Sequence, residues 1–182
     1  MDIHLILGPM FSEKSTTLYR KINQFKVIDK KVLVINHLDD TRCDNEIKTH
    51  DNVRTEAIKV KLLEDIDSKL IEETDVIAID EGQFFPDIEK FIKKWEQTDK
   101  SMYICGLDGN YKRGKIGHLL DIIPLCNTVV KLNALCTECK NGNKAPFTNR
   151  KKHPSTDEVL IGDKEQYSSL CRSHYIFMQQ ER

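Results

Sequence analysis

Long apolar runs are missing from this chain of 182 residues: nothing approaches the roughly 18 consecutive apolar residues that a membrane-crossing helix needs. The opening residues, Met1-Asp2-Ile3-His4, lack the basic and apolar blocks of a secretory leader. A cytoplasmic, reducing location is therefore expected, and with it no disulfide framework for the six cysteines. Charge of one sign is lacking as well. The formal net charge is −1 at pH 7 and no long Lys/Arg block occurs, so neither nucleic acid nor an anionic membrane is an expected partner. The short run Arg150-Lys151-Lys152 reads as a solvated loop. No internal repeat is visible.

What is present is an ordinary globular composition, 39% hydrophobic and 31% charged, in a length that suits one medium domain with a small appendage. Short apolar runs at Ile3–Leu7, Val32–Ile35, Val76–Ile79, Met102–Cys105 and Thr128–Leu132 read as buried strands. Between them, residues 14–28 carry Leu18, Ile22 and Phe25 at helical spacing. Residues 62–73 read as an amphipathic helix through Leu62, Leu63, Ile66, Leu70 and Ile71. Pro86-Asp87 opens a helix with Ile88, Phe91, Ile92 and Trp95 on one face. Strands alternating with helices imply an α/β fold, a parallel sheet covered on both faces. Residues 37–51 are polar and read as a mobile surface loop. Cys105 and Cys126 lie among apolar neighbours and read as small core residues. Periodicity fades after Leu135. The chain is thus divided at residue 133, into a nucleotide-binding domain (1–133), a metal-binding domain (134–175) and a frayed tail (176–182).

Gly8-Pro9-Met10-Phe11-Ser12-Glu13-Lys14-Ser15 follows the first strand and opens the first helix, the context of a phosphate-binding loop. Backbone N–H groups and the helix dipole favour an anion there. Lys14 would reach the outer phosphates of ATP and the Ser15 hydroxyl would ligate Mg²⁺. The residue before the Lys is ordinarily Gly and here is Glu13. A carboxylate about 4 Å from a phosphate charge is repelled by roughly 4 kcal/mol at an effective dielectric of about 20, unless it turns to water.

Asp80-Glu81-Gly82-Gln83-Phe84-Phe85 ends the third apolar run. In an open parallel sheet, ligands bind beyond the carboxyl ends of the strands. Asp80 could hold the Mg²⁺ shell there, and Glu81 could take the proton from a hydroxyl attacking a γ-phosphorus. The two Phe could wall an apolar pocket. Two further pairs, Cys136-x-x-Cys139 and Cys171-x-x-His174, have the spacing of zinc-ligand knuckles. Three thiolates and one imidazole form a closed set of four, which suits structural Zn²⁺ that clips both ends of residues 140–170.

With these elements in order, the chain resembles the type II thymidine kinases, the cytosolic kind found also in poxviruses and bacteria. The resemblance covers about Ile3 to Tyr175. It rests on Gly8-Pro9-Met10-Phe11-Ser12 with Lys14-Ser15-Thr16, on Asp40-Thr41-Arg42, on Thr49-His50-Asp51, on Asp80 to Phe85, on Leu107-Asp108-Gly109 and on the split ligand pairs. It implies a P-loop NTPase-like (RecA-like) α/β domain and a small zinc-ribbon domain carrying a lasso. The implied activity is transfer of the ATP γ-phosphate to the 5′-hydroxyl of thymidine or deoxyuridine, with Mg²⁺ and Glu81 as general base. Gly8 to Ser15, Asp40, Thr41, Arg42, Asp80 and Gln83 fall on the ATP and Mg²⁺ side. Phe84, Leu107, Tyr111, Tyr167 and the lasso residues Glu158, Val159, Leu160, Ile161 and Gly162 fall on the nucleoside side. A homotetramer is implied too. Glu13 motivates a second reading, a thymidine-binding homologue with weak or no catalysis. A third, a zinc-bearing interaction module on an unrelated nucleotide hydrolase, is opposed by the near-neutral charge.

Overall fold

The computed structural model describes residues 1–40, 46–48, 54–151 and 164–180. Six parallel strands form its central sheet: β1 (Asp2–Gly8), β2 (Val32–His37), β5 (Ile58–Val60), β6 (Val76–Ile79), β7 (Ser101–Leu107) and β8 (Thr128–Lys131), in the order β5-β2-β6-β7-β1-β8. Every residue of β6 is buried, which is why its sequence is an unbroken apolar run. At the β8 edge all four residues are exposed.

Alternation along β1 divides the core. Ile3, Leu5 and Leu7 join Leu33, Ile35, Ile77, Ile79, Met102 and Ile104 on one face. Helix α3 (Ile88–Trp95) covers that face with Ile88, Phe91, Ile92 and Trp95, all buried. Each such side chain contributes about 1.5–3 kcal/mol when removed from water. On the other face Ile6, Val34, Ala78 and Cys105 meet Leu18 and Ile22 of α1 (Lys14–Val27). The expected α/β architecture with helices on both faces is present.

Three local expectations differ. The segment 62–73 is a 3-10 turn at Leu63–Asp65 followed by the short helix α2 (Ser68–Glu72). Ile66 is extended, and the Asp67 carboxylate accepts the Lys69 N–H at 3.0 Å, so the helix starts afresh. Leu70, counted on the apolar face, is consequently exposed. Inside the polar stretch 37–51 lies β3 (Glu46–Lys48), antiparallel to β4 (Arg54–Glu56). Helix α4 (Arg172–Gln180) continues past Tyr175, where the chain was expected to fray.

After Lys131 come two small antiparallel pairs: β9 (Ala134–Leu135) with β10 (Lys144–Ala145), and β11 (Phe147–Arg150) with β12 (Tyr167–Leu170). Ala134, Cys136, Ala145, Leu170 and Tyr175 form their own core, and Phe11 of the loop after β1 packs against it. No helix among the described residues is long and apolar enough to cross a membrane.

Candidate active site and metal centre

The loop from Gly8 to Lys14 turns sharply, with Phe11 (φ 65°) and Glu13 (φ 60°) in the left-handed region. Ser12 Oγ donates to the Pro9 carbonyl at 2.8 Å, and the Lys14 ammonium donates to the same oxygen at 2.8 Å. Lys14 is buried. Desolvation pulls its pKa below the ordinary lysine value, while the carboxylates of Glu81 and Asp80 pull the other way. Glu13 is the N-cap of α1, and its carbonyl accepts Thr17 N–H at 2.9 Å and Thr17 Oγ1 at 2.8 Å. Glu13 itself is exposed, so its backbone takes the conformation that glycine adopts without strain while the residue remains open to water.

Asp80 and Glu81 stand at the end of β6, and β7 runs between β6 and β1. Three donors converge on Asp80 Oδ1: Ser15 Oγ at 3.1 Å, the Glu81 N–H at 2.9 Å and Cys105 Sγ at 2.8 Å. Burial, with Asp80 beside it, pushes the Cys105 thiol well above its usual range, so it remains a donor. Glu81 is 8% exposed and left-handed, φ 52°. Left-handed non-glycine residues cost on the order of 1–3 kcal/mol and cluster at functional sites. Lysine, hydroxyl and two carboxylates therefore meet where the loop after β1 faces a strand end, an arrangement suited to phosphoryl transfer.

The second cluster is Cys136, Cys139, Cys171 and His174, whose ligand atoms all lie within 4.8 Å of one another. Cys139 Sγ is 3.7 Å from Cys171 Sγ, and His174 Nδ1 is 3.7 Å from Cys136 Sγ and 3.3 Å from both other sulfurs. Tetrahedral Zn²⁺ with bonds of about 2.0–2.3 Å sets ligand atoms about 3.3–3.8 Å apart, so the set fits such an ion. Although desolvation opposes it, backbone N–H bonds from Cys171, Cys139 and Glu138 bring the Cys136 thiol down to about 6.

A family model described as thymidine kinase matches residues 1–175. The thymidine kinase of myxoma virus (strain Uriarra) is 39% identical over 97% of this chain and 97% of its own length. That of sheeppox virus (strain KS-1) is 42% identical over 95% and 96%. The cytosolic thymidine kinase of Homo sapiens is 41% identical over 96% of this chain and 73% of its own. The chain belongs to the thymidine kinase family. It is accordingly a nucleoside kinase, and the resemblance read from its motifs holds.

The other predicted residues of this kinase fall in several places. Asp40 is buried, accepting from Asn36 Nδ2 at 2.9 Å, and its carbonyl takes Lys59 Nζ at 2.5 Å. Thr41, Arg42 and Glu158 to Gly162 lie outside the described residues, as does Thr49-His50-Asp51. Phe84 is half-buried, 5.6 Å from the His37 ring, whereas Phe85 is wholly within the core, so the two Phe do not wall a pocket together. Tyr167 lines a cavity of about 650 Å³ with Phe11, Glu13, Lys151 and Lys164. Tyr111 is half-buried and accepts the Tyr175 hydroxyl at its carbonyl, 2.6 Å away.

Arg150 departs from the solvated-loop reading. It is 3% exposed at the end of β11, and its guanidinium lies 5.2 Å from the centroid of the Tyr111 ring. Only Lys151 of that run behaves as expected among the described residues. Arg150 ends β11, Phe147-Thr148-Asn149-Arg150, whose last three residues are buried. Cys105 is a core residue, as its apolar neighbours imply, and it also donates to Asp80 at the site.

Proposed function

We propose that this kinase transfers the γ-phosphate of ATP to the 5′-hydroxyl of thymidine or deoxyuridine, with Glu81 as the general base. The observation that carries the reading is the convergence of Lys14, Ser15, Asp80 and Glu81 at the carboxyl ends of β1 and β6. Backbone amides of the loop just before α1 and the N-terminus of that helix bind the triphosphate, with Lys14 moving from the Pro9 carbonyl to the outer phosphates. Ser15 and Asp80 would hold Mg²⁺, which supplies charge neutralisation when bound. Glu81 accepts the hydroxyl proton as the oxygen bonds to phosphorus and the ADP oxygen leaves.

Phe84, Leu107, Tyr111, Tyr167 and the segment Glu158–Gly162 are assigned to the nucleoside, and Asp40, Thr41 and Arg42 to the phosphate side. Cys136, Cys139, Cys171 and His174 would hold structural Zn²⁺; their spacing supports that ion. A division of the chain at residue 133, a cytoplasmic location and a homotetramer complete the proposal. The reading of a catalytically silent thymidine binder is not favoured, because Glu13 is exposed and keeps the loop's backbone shape.

A steady-state kinase assay tests the base. Glu81→Gln is expected to lower kcat on the order of 100-fold or more while thymidine still binds by calorimetry. Normal turnover in that variant sinks the assignment.

A further inference from the structure

Gln83, which the resemblance groups with the ATP contacts, bonds to protein at both ends of its amide. Nε2 donates to Glu81 Oε2 at 2.6 Å, and Oε1 accepts the Leu107 N–H at 3.0 Å. The orientation is unambiguous, because a backbone N–H needs the oxygen and a carboxylate needs the nitrogen. The side chain is 3% exposed.

The backbone around it is shaped to the same end. A methyl group on Gly106 would stand 2.3 Å from Gln83 Oε1 and 2.5 Å from Leu119 Cδ2, so the bare glycine lets β7 lie close to both side chains. Gly117 (φ 51°) lies against the Gln83 carbonyl, where a Cβ would come within 2.2 Å. Side chain and main chain of Gln83 are thus each enclosed by a glycine. One end of this clamp is the carboxylate at the end of β6. The other is the last residue of β7, whose next residue hydrogen-bonds to β1, Asp108 N–H to Gly8 O at 3.4 Å.

We propose that Gln83 is the positioning residue of the general base: it fixes the plane of the Glu81 carboxylate against β7, where Gly106 leaves room for its amide. This rests on the reading of Glu81 as base. The chemistry suits a neutral donor. Lysine or arginine in that place would hold the carboxylate equally well but would oppose its protonation during transfer, whereas an amide orients it without a full opposing charge. Among the described residues, the charged groups around Glu81 include Lys14 from α1, Asp80 just after β6 and Asp108 just after β7, with the neutral Cys105 thiol from β7. Misplacing a reacting group by about 1 Å costs on the order of 100-fold in rate. A Gln83 substitution therefore reads out in kcat, not in nucleoside affinity.

The experiment is a double-mutant cycle with Glu81→Gln and Gln83→Met, measuring kcat, thymidine KM, thymidine binding and melting temperature for each protein. Gln83→Met is expected to lower kcat on the order of 10- to 100-fold with thymidine KM within about twofold. In the Glu81→Gln background the same change is expected to cost nothing further. Full kcat in Gln83→Met, or an equal loss in both backgrounds, overturns the proposal. Normal kcat in Glu81→Gln instead removes the base assignment beneath it, a distinct result. Should Gln83→Met fail to fold, Gln83→Glu replaces it. That variant keeps the Leu107 bond and, when ionised, cannot donate to Glu81. The same uncoupled outcomes in it count against the proposal.

Discussion

Glu13 holds φ 60° and ψ 32° at the residue before α1, a conformation that costs a side-chain-bearing residue about 1 kcal/mol or more relative to glycine. Glu13→Gly is therefore expected to raise the melting temperature by about 2–4 °C, with the ATP KM changed by no more than about threefold. A differential scan and a kinase assay on the same sample check both halves. A large gain in ATP affinity would show that the carboxylate repels the triphosphate after all. At this scale the sequence was legible wherever chemistry follows from local order. The loop, the Asp80-Glu81 pair and the Cys and His ligands each sit on a short motif, and the structure gathers Lys14, Ser15, Asp80 and Glu81 as that order implied. The contacts of Gln83 and the burial of Arg150 were not legible, because Leu107 and Tyr111 are remote in sequence and come close only through the fold.

Among the elements, β1, β2, β6, β7 and α3 were readable because each carries a full apolar face or run. Strand β5 was not, since three half-buried residues with a lysine in the middle make no periodic signal. The restart of α2 at Asp67 is a capping effect that outweighs the apolar spacing across 62–73. Elements also join through small polar contacts. Asp75, just before β6, accepts the Lys31 N–H at 2.9 Å and the Lys30 ammonium at 3.2 Å, next to the start of β2. The backbone bond from Lys31, then that from Lys30, hold its carboxyl below the usual aspartate value. A depressed folded pKa means stability that is present above the ordinary aspartate range and lost as pH falls through the lowered value. Asp75→Asn is expected to lower the melting temperature by about 1–2 °C at pH 7, a small effect because the pair is solvent-screened. The gap should close in melts below the aspartate range; a gap that persists in acid would assign the effect to shape instead of charge.

Across the whole molecule, the Cys/His region and the phosphate loop are not independent. The Met10 N–H donates to Thr148 Oγ1 at 3.0 Å, Phe11 packs against the core of Ala134, Leu170 and Tyr175, and the Tyr175 hydroxyl reaches the Tyr111 carbonyl. If Zn²⁺ holds the four ligands, removing it with a chelator is expected to destabilise the protein by several kcal/mol and to abolish ATP binding along with thymidine binding. Re-addition of Zn²⁺ should restore both, followed by melting temperature and by calorimetry with each ligand. Retained ATP affinity in the stripped protein would refute the coupling. The seating of Phe11 carries a further meaning. Half of the turn proposed to cradle the triphosphate is moored to the sheet and half to the far side of residue 133, so prying the two sides apart would tear that turn itself. A fragment cut at that point would keep its six strands yet own no finished anion site, and any motion that admits substrate must spare this seam.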